Sequence, residues 1–527
     1  MSTSESGPRD TAIPPDAPQA KPRVHPVDEV LPAPRLTILG LQHLFIMYAG
    51  AIAVPFVVGG ALKLSAATIA LLVNADLLVA GVATLIQAVG VGKLFGVRLP
   101  VVAGATFTVI PPMITIAAKF GGEKGLPYVY GAMLCSGVFG LLIARPFAKV
   151  IRFFPPLVAG IVITVIGLSL IGPAAAMIAG HDTEDPHYGQ VSHIMVAFAV
   201  VFGILILART LRGFLGQIAP LLAITVGAVL ALFTHSWSGS TRTHSWDLSG
   251  VGHADWLGLA APFHFGAPKF DAAAVISMCI VMLVTYTEST ADMLAVAEMT
   301  GKELTGADIT RGLAADGLSA LLGGSMNSFP DTLFAENVGL VQMTGVRSRW
   351  VTAVTGGFLV VMGVIPKVGA FVAAVPEFVV GGAALVMFAT VTAVGIQTLK
   401  KAEFQGNHNL LIVATSLGLS LLPAYAMDRF GNSIFFEKFP SWAQIVFGSP
   451  ITIAVVVAFS LNLVFNHLGG GSTIPVPRSV AASGAVSGAV PGTSPAISPM
   501  FAARPAAGSD AATGLALQRS PAASPLP

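Results

Sequence analysis

LTILGLQHLFIMYAGAIAVPFVVGGAL, residues Leu36 to Leu62, runs for 27 residues without a charged side chain. A bilayer's hydrocarbon core is about 30 Å thick and needs roughly 20 helical residues to cross it, so this stretch is long enough to span. Similar charge-free runs lie at Phe153 to Ile178, Phe214 to Thr234 and Trp350 to Pro366. Backbone groups in lipid must pair within their own segment, which selects helices, and the alternation of a membrane β-barrel strand is absent. The whole chain of 527 residues is 54% hydrophobic and only 10% charged, against roughly 25% charged in soluble domains. The sequence therefore reads as an all-α polytopic membrane protein.

Outward from that first run, fourteen segments can be drawn: 36–62, 64–91, 98–118, 127–144, 148–173, 190–208, 213–234, 272–299, 307–326, 329–344, 349–366, 369–398, 409–424 and 446–466. An even count puts both termini on one side, taken as the cytoplasm. That side then holds 20 of the 28 Lys and Arg residues and the other side 8, in keeping with the positive-inside rule. The tails, 1–35 and 467–527, are rich in Pro, Ala, Ser and Gly and are expected to be disordered, with too few apolar side chains to offset the entropy of ordering. No signal peptide is visible, so the first helix would serve as its own insertion signal. The net charge of +2 is scattered among loops and points to no nucleic-acid partner. Cys135 and Cys279 lie in apolar segments with no metal-ligand spacing.

Segments 3 and 10 are irregular. The third begins Arg98-Leu-Pro-Val-Val-Ala-Gly-Ala-Thr106-Phe107 and continues to Pro111-Pro112; the tenth is short and holds Pro330, Glu336, Asn337 and Gly339. Each reads as an extended stretch turning into a half-helix, which is tolerated at membrane depth only inside protein or along a cavity. Both stand third in a set of seven. Pro155-Pro-Leu-Val158-Ala-Gly160 also has a counterpart 221 residues on, in Pro376-Glu-Phe-Val379-Val-Gly381. Seven is odd, so the second set would cross the bilayer in the opposite direction, giving two inverted repeats.

Few acids fall within the apolar segments: Asp76, Glu288, Asp292, Asp316, Glu336 and Glu377. Charges there are costly and face a cavity or a partner. Glu288 and Asp292 are four apart and share a helix face, with no Lys or Arg on the same stretch. A desolvated carboxyl is more easily protonated; it can carry a proton and can bind a flat ligand that offers N–H donors and C=O acceptors, as nucleobases do. A structural network that pins helices together is the alternative for any one such acid. His43 lies near the middle of an apolar helix beside Gln42 and fits a network role. Glu336, Asn337 and Gly339 fall at the start of the tenth half-helix, where dipole and unpaired N–H groups favour a ligand; Thr106 and Phe107 hold the equivalent place in the third. Phe107 can stack on a ring or simply pack.

Glu336-Asn-Val-Gly-Leu-Val-Gln-Met-Thr344-Gly345 resembles the signature of the nucleobase–ascorbate transporters, the second nucleobase–cation symporter family, in its bacterial xanthine/uric acid permease-like branch. Gln42-His43, Glu288 with Asp292, and Ala315-Asp316-Gly317 match in the same order, and the resemblance covers roughly residues 36–466. It implies a core domain of segments 1–4 and 8–11 (36–145 and 272–366) and a gate domain of segments 5–7 and 12–14 (146–234 and 367–466). An extracytoplasmic loop at 235–271 would join the two halves. It also implies a base bound between short strands of segments 3 and 10, with Glu288, Glu336, Asn337, Thr106, Phe107 and Gly339 around it. His43, Asp292, Asp316 and Gln42 would serve proton coupling or its supporting network. The implied protein is a proton-coupled importer of xanthine or uric acid in the cell membrane. It moves core against gate, is dimeric through the gate, and uses no metal or cofactor; sodium coupling stays open. Glu336 departs from the Gln typical of xanthine and urate members and matches uracil carriers, which keeps a uracil importer in play. An anion or dicarboxylate carrier of the same fold is the outside alternative. An enzyme would need a metal cluster or activated nucleophile in the bundle, and neither is seen in the sequence. No role follows for Asp331.

Overall fold

The computed structural model describes residues 25–150, 155–180, 185–238, 241–244, 246, 248–404, 408–425 and 434–468, so most of both expected tails lies outside the described residues. In chain order the helices are α1 (Ala33–Ala61), α2 (Ala66–Val89), α3 (Ile110–Lys119), α4 (Leu126–Val150), α5 (Pro156–Ala179), α6 (Val191–Thr210), α7 (Phe214–Gln217), α8 (Ala219–Ala231) and α9 (Ser249–His253). They continue with α10 (Ala272–Thr300), α11 (Gly306–Met326), α12 (Ala335–Thr344), α13 (Arg349–Gly363), α14 (Pro366–Ala373), α15 (Glu377–Leu399), α16 (Asn409–Tyr425), α17 (Ser441–Phe447) and α18 (Pro450–Asn462). Strand β1 (Ala103–Ala105) precedes α3, a hairpin β2 (His235–Ser238) and β3 (Thr241–His244) follows α8, and β4 (Asp331–Leu333) precedes α12.

Among the described residues eight helices are long and apolar enough to cross a membrane: α1, α2, α4, α5, α6, α10, α15, and α18 with its continuation to Leu468. The other segments expected from sequence are present as shorter or more polar helices. These are α8, α13 and α16, α11 with Asp308, Arg311 and Asp316 on it, and the strand-plus-half-helix pairs β1–α3 and β4–α12. Helix ends follow local chemistry. Ser65 accepts from the Thr68 N–H, Asp271 from the Ala274 N–H at 2.9 Å, and Thr305 with Asp308 forms a reciprocal capping box.

The inverted repeat is legible in the packing. Segment 2 lies on segment 11 (α2 on α13) and segment 4 on segment 9 (α4 on α11), while segment 5 lies along segment 12 (α5 on α15). Exchanging each segment for the one seven places away maps these pairs onto one another. Prolines at the N-cap open both α5 and α15, and the two glycines of the repeated motif make reciprocal contacts. A Cβ on Gly160 would meet Leu399 at 2.8 Å, and one on Gly381 would meet Met177 at 2.8 Å. Each start therefore abuts the other's end, the signature of an antiparallel two-fold pair. Small residues let membrane helices approach closely enough for dispersion to hold them. β1 and β4 pair antiparallel as Ala103 with Leu333, Gly104 with Thr332 and Ala105 with Asp331, the same symmetry at the centre of the bundle.

Four sequence expectations need correction. The N-terminal tail does not extend to residue 35. Pro26–Asp28 forms a 3-10 turn with Val27 fully buried beside Val97, Phe147 and Met293. Arg349 Nε holds Asp28 at 2.6 Å, and the Ser348 hydroxyl donates to the Glu29 carbonyl at 2.5 Å. Second, α4 continues to Val150, so the expected division at 145/146 cuts a helix. Third, segment 12 starts at Glu377. α14 is a separate helix, bent by 82° from α13 and fastened to α2 by Asn74, which accepts from the Gly369 N–H at 3.0 Å and donates to the Pro366 carbonyl at 3.3 Å. It packs with the first helix group, not with α15. Fourth, Glu377 occupies the first turn of α15 instead of an apolar interior, where a carboxylate suits the helix dipole.

Gly395→Ala should destabilise the α5–α15 pair, because its Cβ would fall 2.4 Å from the Thr164 backbone nitrogen. Overpacking of this kind costs about 1–3 kcal/mol. Thermal unfolding in detergent should show a lower midpoint for Gly395→Ala. Gly418→Ala, whose Cβ meets nothing within 4 Å, should leave the midpoint unchanged or raised.

Candidate functional site

The site begins with a backbone problem. Three residues of extended chain at membrane depth have no helical partners, and β1 and β4 solve this by pairing with each other. The ladder is closed at both ends by matching bonds: the Thr106 N–H donates to the Pro330 carbonyl at 3.0 Å and the Phe334 N–H to the Val102 carbonyl at 2.9 Å. Thr84 of α2 clamps the first strand, accepting from the Ala103 N–H at 3.0 Å and donating to its carbonyl at 3.2 Å. α3 and α12 leave the strand pair in opposite directions, so both half-helices start beside it. The N-cap of α12, Phe334, makes no side-chain cap bond, and the Asn337 N–H donates to the Phe334 carbonyl at 3.1 Å.

α10 crosses beside the pair and supplies the acid. Glu288 is half-buried. Its Oε1 accepts from the Thr108 hydroxyl at 2.9 Å and its Oε2 from the Thr106 hydroxyl at 3.2 Å. A carboxylate has about four lone-pair directions, so each oxygen keeps acceptor capacity. Ser289, next along, meets the Thr332 hydroxyl at 3.0 Å and ties α10 to the second strand. Asp292, one turn on and half-buried, lies within electrostatic reach of Glu288, Glu336 and Asp316. Glu336, in the first turn of α12, is exposed. Asp292 is thus an acid that feels the charges of both Glu288 and Glu336.

The remaining sequence-derived residues fall into a supporting layer. Asn337 is buried, and both hydrogens of its amide nitrogen are used, one on the His43 carbonyl at 2.9 Å and one on His43 Nδ1 at 3.1 Å. That acceptance places the imidazole proton on Nε2. His43 therefore holds α12 to α1. Gln42 is half-buried beside it. Asp316 is buried on α11 and accepts from Gln87 Nε2 at 2.9 Å; the same nitrogen reaches the Gly312 carbonyl at 3.0 Å. Phe107 meets Phe388 of α15 edge-on, with centroids 5.4 Å apart and planes at 85°. Gly339 lies one turn beyond Glu336 on the same half-helix.

Several participants were not singled out from sequence. Thr108 is the shorter of Glu288's two bonds, and its signal was the Thr-Phe-Thr spacing that places both hydroxyls at the start of the third half-helix. Gln87, Ser289 and Thr84 carry no sequence signal, because their partners are remote in the chain. Asp331, left without a role, sits on β4 and accepts from the Ser319 hydroxyl, while Asp76 accepts from Ser328 at 3.3 Å. Among the described residues no group of three or more His, Cys, Asp or Glu is arranged to hold a metal ion.

Broken helices crossing at a strand pair, with buried acids around them, define a multi-pass membrane transporter. Residues 34–428 match the family described as the Permease family, and the chain belongs to it. It is 40% identical over 458 residues to the uric acid transporter UacT of Escherichia coli K12, covering 87% of this chain and 91% of that one. It is also 40% identical over 428 residues to the xanthine permease of Bacillus subtilis 168, covering 81% and 93%. Among solved structures, the transmembrane domain of the cyanobacterial bicarbonate transporter BicA aligns with a TM-score of 0.54 at 14% identity, covering 80% of this chain and 97% of that one. Murine Slc26a9, an anion transporter in the inward-facing state, aligns with a TM-score of 0.51 at 14% identity, covering 82% and 68%. These two share the fold.

Asn337→Ala should strand His43 Nδ1 and remove the second donor to the His43 carbonyl, a loss of about 1–3 kcal/mol for an unsatisfied buried group. A double-mutant cycle with His43→Ala, read by thermal unfolding, should give a coupling of about 0.5–3 kcal/mol.

Proposed function

We propose that the chain imports an oxidised purine, xanthine or uric acid, together with a proton. The observation that carries the reading is Glu288, held by two threonine hydroxyls from one half-helix while Asp292 connects it to Glu336 on the other. The fastened carboxylate keeps acceptor capacity on both oxygens, which suits the N–H groups of a flat base. The first turn of α12 offers N–H donors for its carbonyls. The relatives that carry uric acid and xanthine in their names support the choice of purine over uracil, although Glu336 itself resembles the uracil pattern. An inorganic anion or a dicarboxylate is disfavoured because it offers no N–H donors to Glu288, Asp292 and Glu336, whereas urate keeps N–H groups even in its anionic form.

In the proposed cycle a proton taken up from outside neutralises one of the site carboxyls as the base binds. Moving an uncompensated charge through the protein interior is costly, so the core group, α1–α4 with α10–α14, carries its cargo past the gate group once proton and base are both bound. Phe107 against Phe388 lies on that sliding surface. Asp292, Asp316, His43 and Gln42 tune or support the coupling, with Asn337 shaping the second half-helix. Both termini would lie in the cytoplasm of a cell whose plasma or inner membrane holds the protein, and the gate group would form the homodimer contact.

Glu288→Gln keeps the size of the side chain and fixes it in a neutral form. The expected outcome is retained binding of radiolabelled xanthine or urate to membranes, with loss of at least tenfold accumulation driven by a proton gradient. Accumulation that still collapses with a protonophore in this variant would refute the assignment.

A further inference from the structure

α12 has one open face. Ala335, Glu336, Gln342 and Met343 are exposed and Gly339 is partly so, at the spacing that aligns side chains along one side of a helix. α10 carries a matching stripe at Glu288, Ala291, Ala295 and Glu298, each at least partly exposed. Both stripes start at the site and run toward the end of the bundle where α1 begins. Lys302, just beyond α10, donates to the Arg98 carbonyl at 2.8 Å, and Ser348, beyond α12, reaches Glu29 just before α1. Acids on both stripes, and the Gln342 amide on that of α12, fit a watered passage and not a lipid-facing surface.

Opposite α12 stands the gate group. Ile46 and Leu340 pack against Ile218, with Phe214 and Leu222 around them. At this contact the nearest heavy atom to a Cβ built on Gly339 is Gln217 Nε2, at 4.0 Å. The other end of that amide is unexplained: Gln217 Oε1 is buried with no hydrogen-bond partner among the described residues. An unsatisfied buried acceptor costs about 1–3 kcal/mol. Local structure does not call for the residue either, because α7 is a single turn and no side-chain cap forms at the start of α7 or α8.

We infer that Gln217 is a gate-side, specificity-determining contact for the transported base, met as the base passes between α12 and the gate. This rests on the purine reading above. A carboxamide presents an acceptor and a donor side by side in one plane, which matches the N–H/C=O edge of an oxidised purine. An ionised carboxylate only accepts, so Gln217 adds, on the gate side, a side-chain donor that an ionised core acid lacks. Gly339 stands directly opposite that amide, so a flat ring enters between them only as core and gate part. Its Cβ would meet nothing closer than 4.0 Å, so packing in this state does not demand glycine there.

The test is uptake into intact cells, with transporter level at the membrane measured by quantitative blotting. Gln217→Ala should raise the KM for xanthine about tenfold, equivalent to ~1.4 kcal/mol, with Vmax per transporter retained. Hypoxanthine, which lacks one of xanthine's two carbonyls, should lose less as a competitor. Gln217→Asn, with the same amide on a shorter stem, should recover part of the loss. Should the alanine variant fail to reach the membrane, Gln217→Leu keeps the bulk and should show the same KM shift. A wild-type KM in Gln217→Ala or Gln217→Leu, or an equal loss for both bases, overturns the inference. Absence of base uptake by the wild-type protein would instead remove the purine reading, and would be seen before any variant is made.

Discussion

Everything in this protein is arranged around six residues of extended backbone that cannot be left in lipid. Their N–H and C=O groups have no helical partners, so the two short strands must find each other. They can do so only if chain segments more than 220 residues apart arrive at the same depth with opposite direction. The inverted repeat is therefore a requirement of the site and not a decoration of the fold. Reciprocal glycine contacts between α5 and α15, and the equivalent pairings of α2 with α13 and α4 with α11, hold the frame in which that meeting occurs. Interhelical packing in a membrane lacks the drive of hydrophobic exclusion, so close approach at small residues carries much of the burden.

Breaking two helices at mid-depth brings two half-helix starts to the strand pair, with Glu288 of α10 bonded to the first of them. Neutral side chains fasten the acids: the Thr106 and Thr108 hydroxyls hold Glu288, and the Gln87 amide holds Asp316. No lysine or arginine is recorded in a hydrogen bond or ion pair with Glu288, Asp292, Asp316 or Glu336 among the described residues. The bicarbonate transporter that shares this fold is named for a different cargo from the one proposed above. The same architecture can serve different solutes because the strand pair supplies geometry while the surrounding side chains supply selectivity.

The supporting layer distributes the site over many elements. His43 links α1 to α12, Ser289 links α10 to β4, and Asn74 links α2 to α14. The segment before α1, with Val27 buried and Asp28 paired to Arg349, adds another tie at one end of the same helix group. A group held this way can move as one body, which is what the proposed transport cycle asks of it, while the opposing helices α5–α8 and α15 present a mostly apolar surface for it to slide on.

The sequence alone determined the membrane character, the approximate run of helical segments and the two broken ones, and it raised Glu288, Glu336, Asn337, His43 and Asp316 as candidates. These are local or compositional signals: a charge-free run, a proline after an extended stretch, or an acid where lipid forbids one is visible without knowing what lies opposite. Only the tertiary structure decided that Thr108 and Thr106 fasten Glu288, that Gln87 holds Asp316, that Asp331 pairs with Ser319, and that Gln217 faces Gly339. It also decided that residues 26–35 belong to the folded body and that α14 stands apart from α15. A hydrogen bond between residues some two hundred positions apart leaves no mark in either stretch, because a threonine or glutamine in an apolar helix reads the same whether it bonds its own backbone or a carboxylate across the bundle.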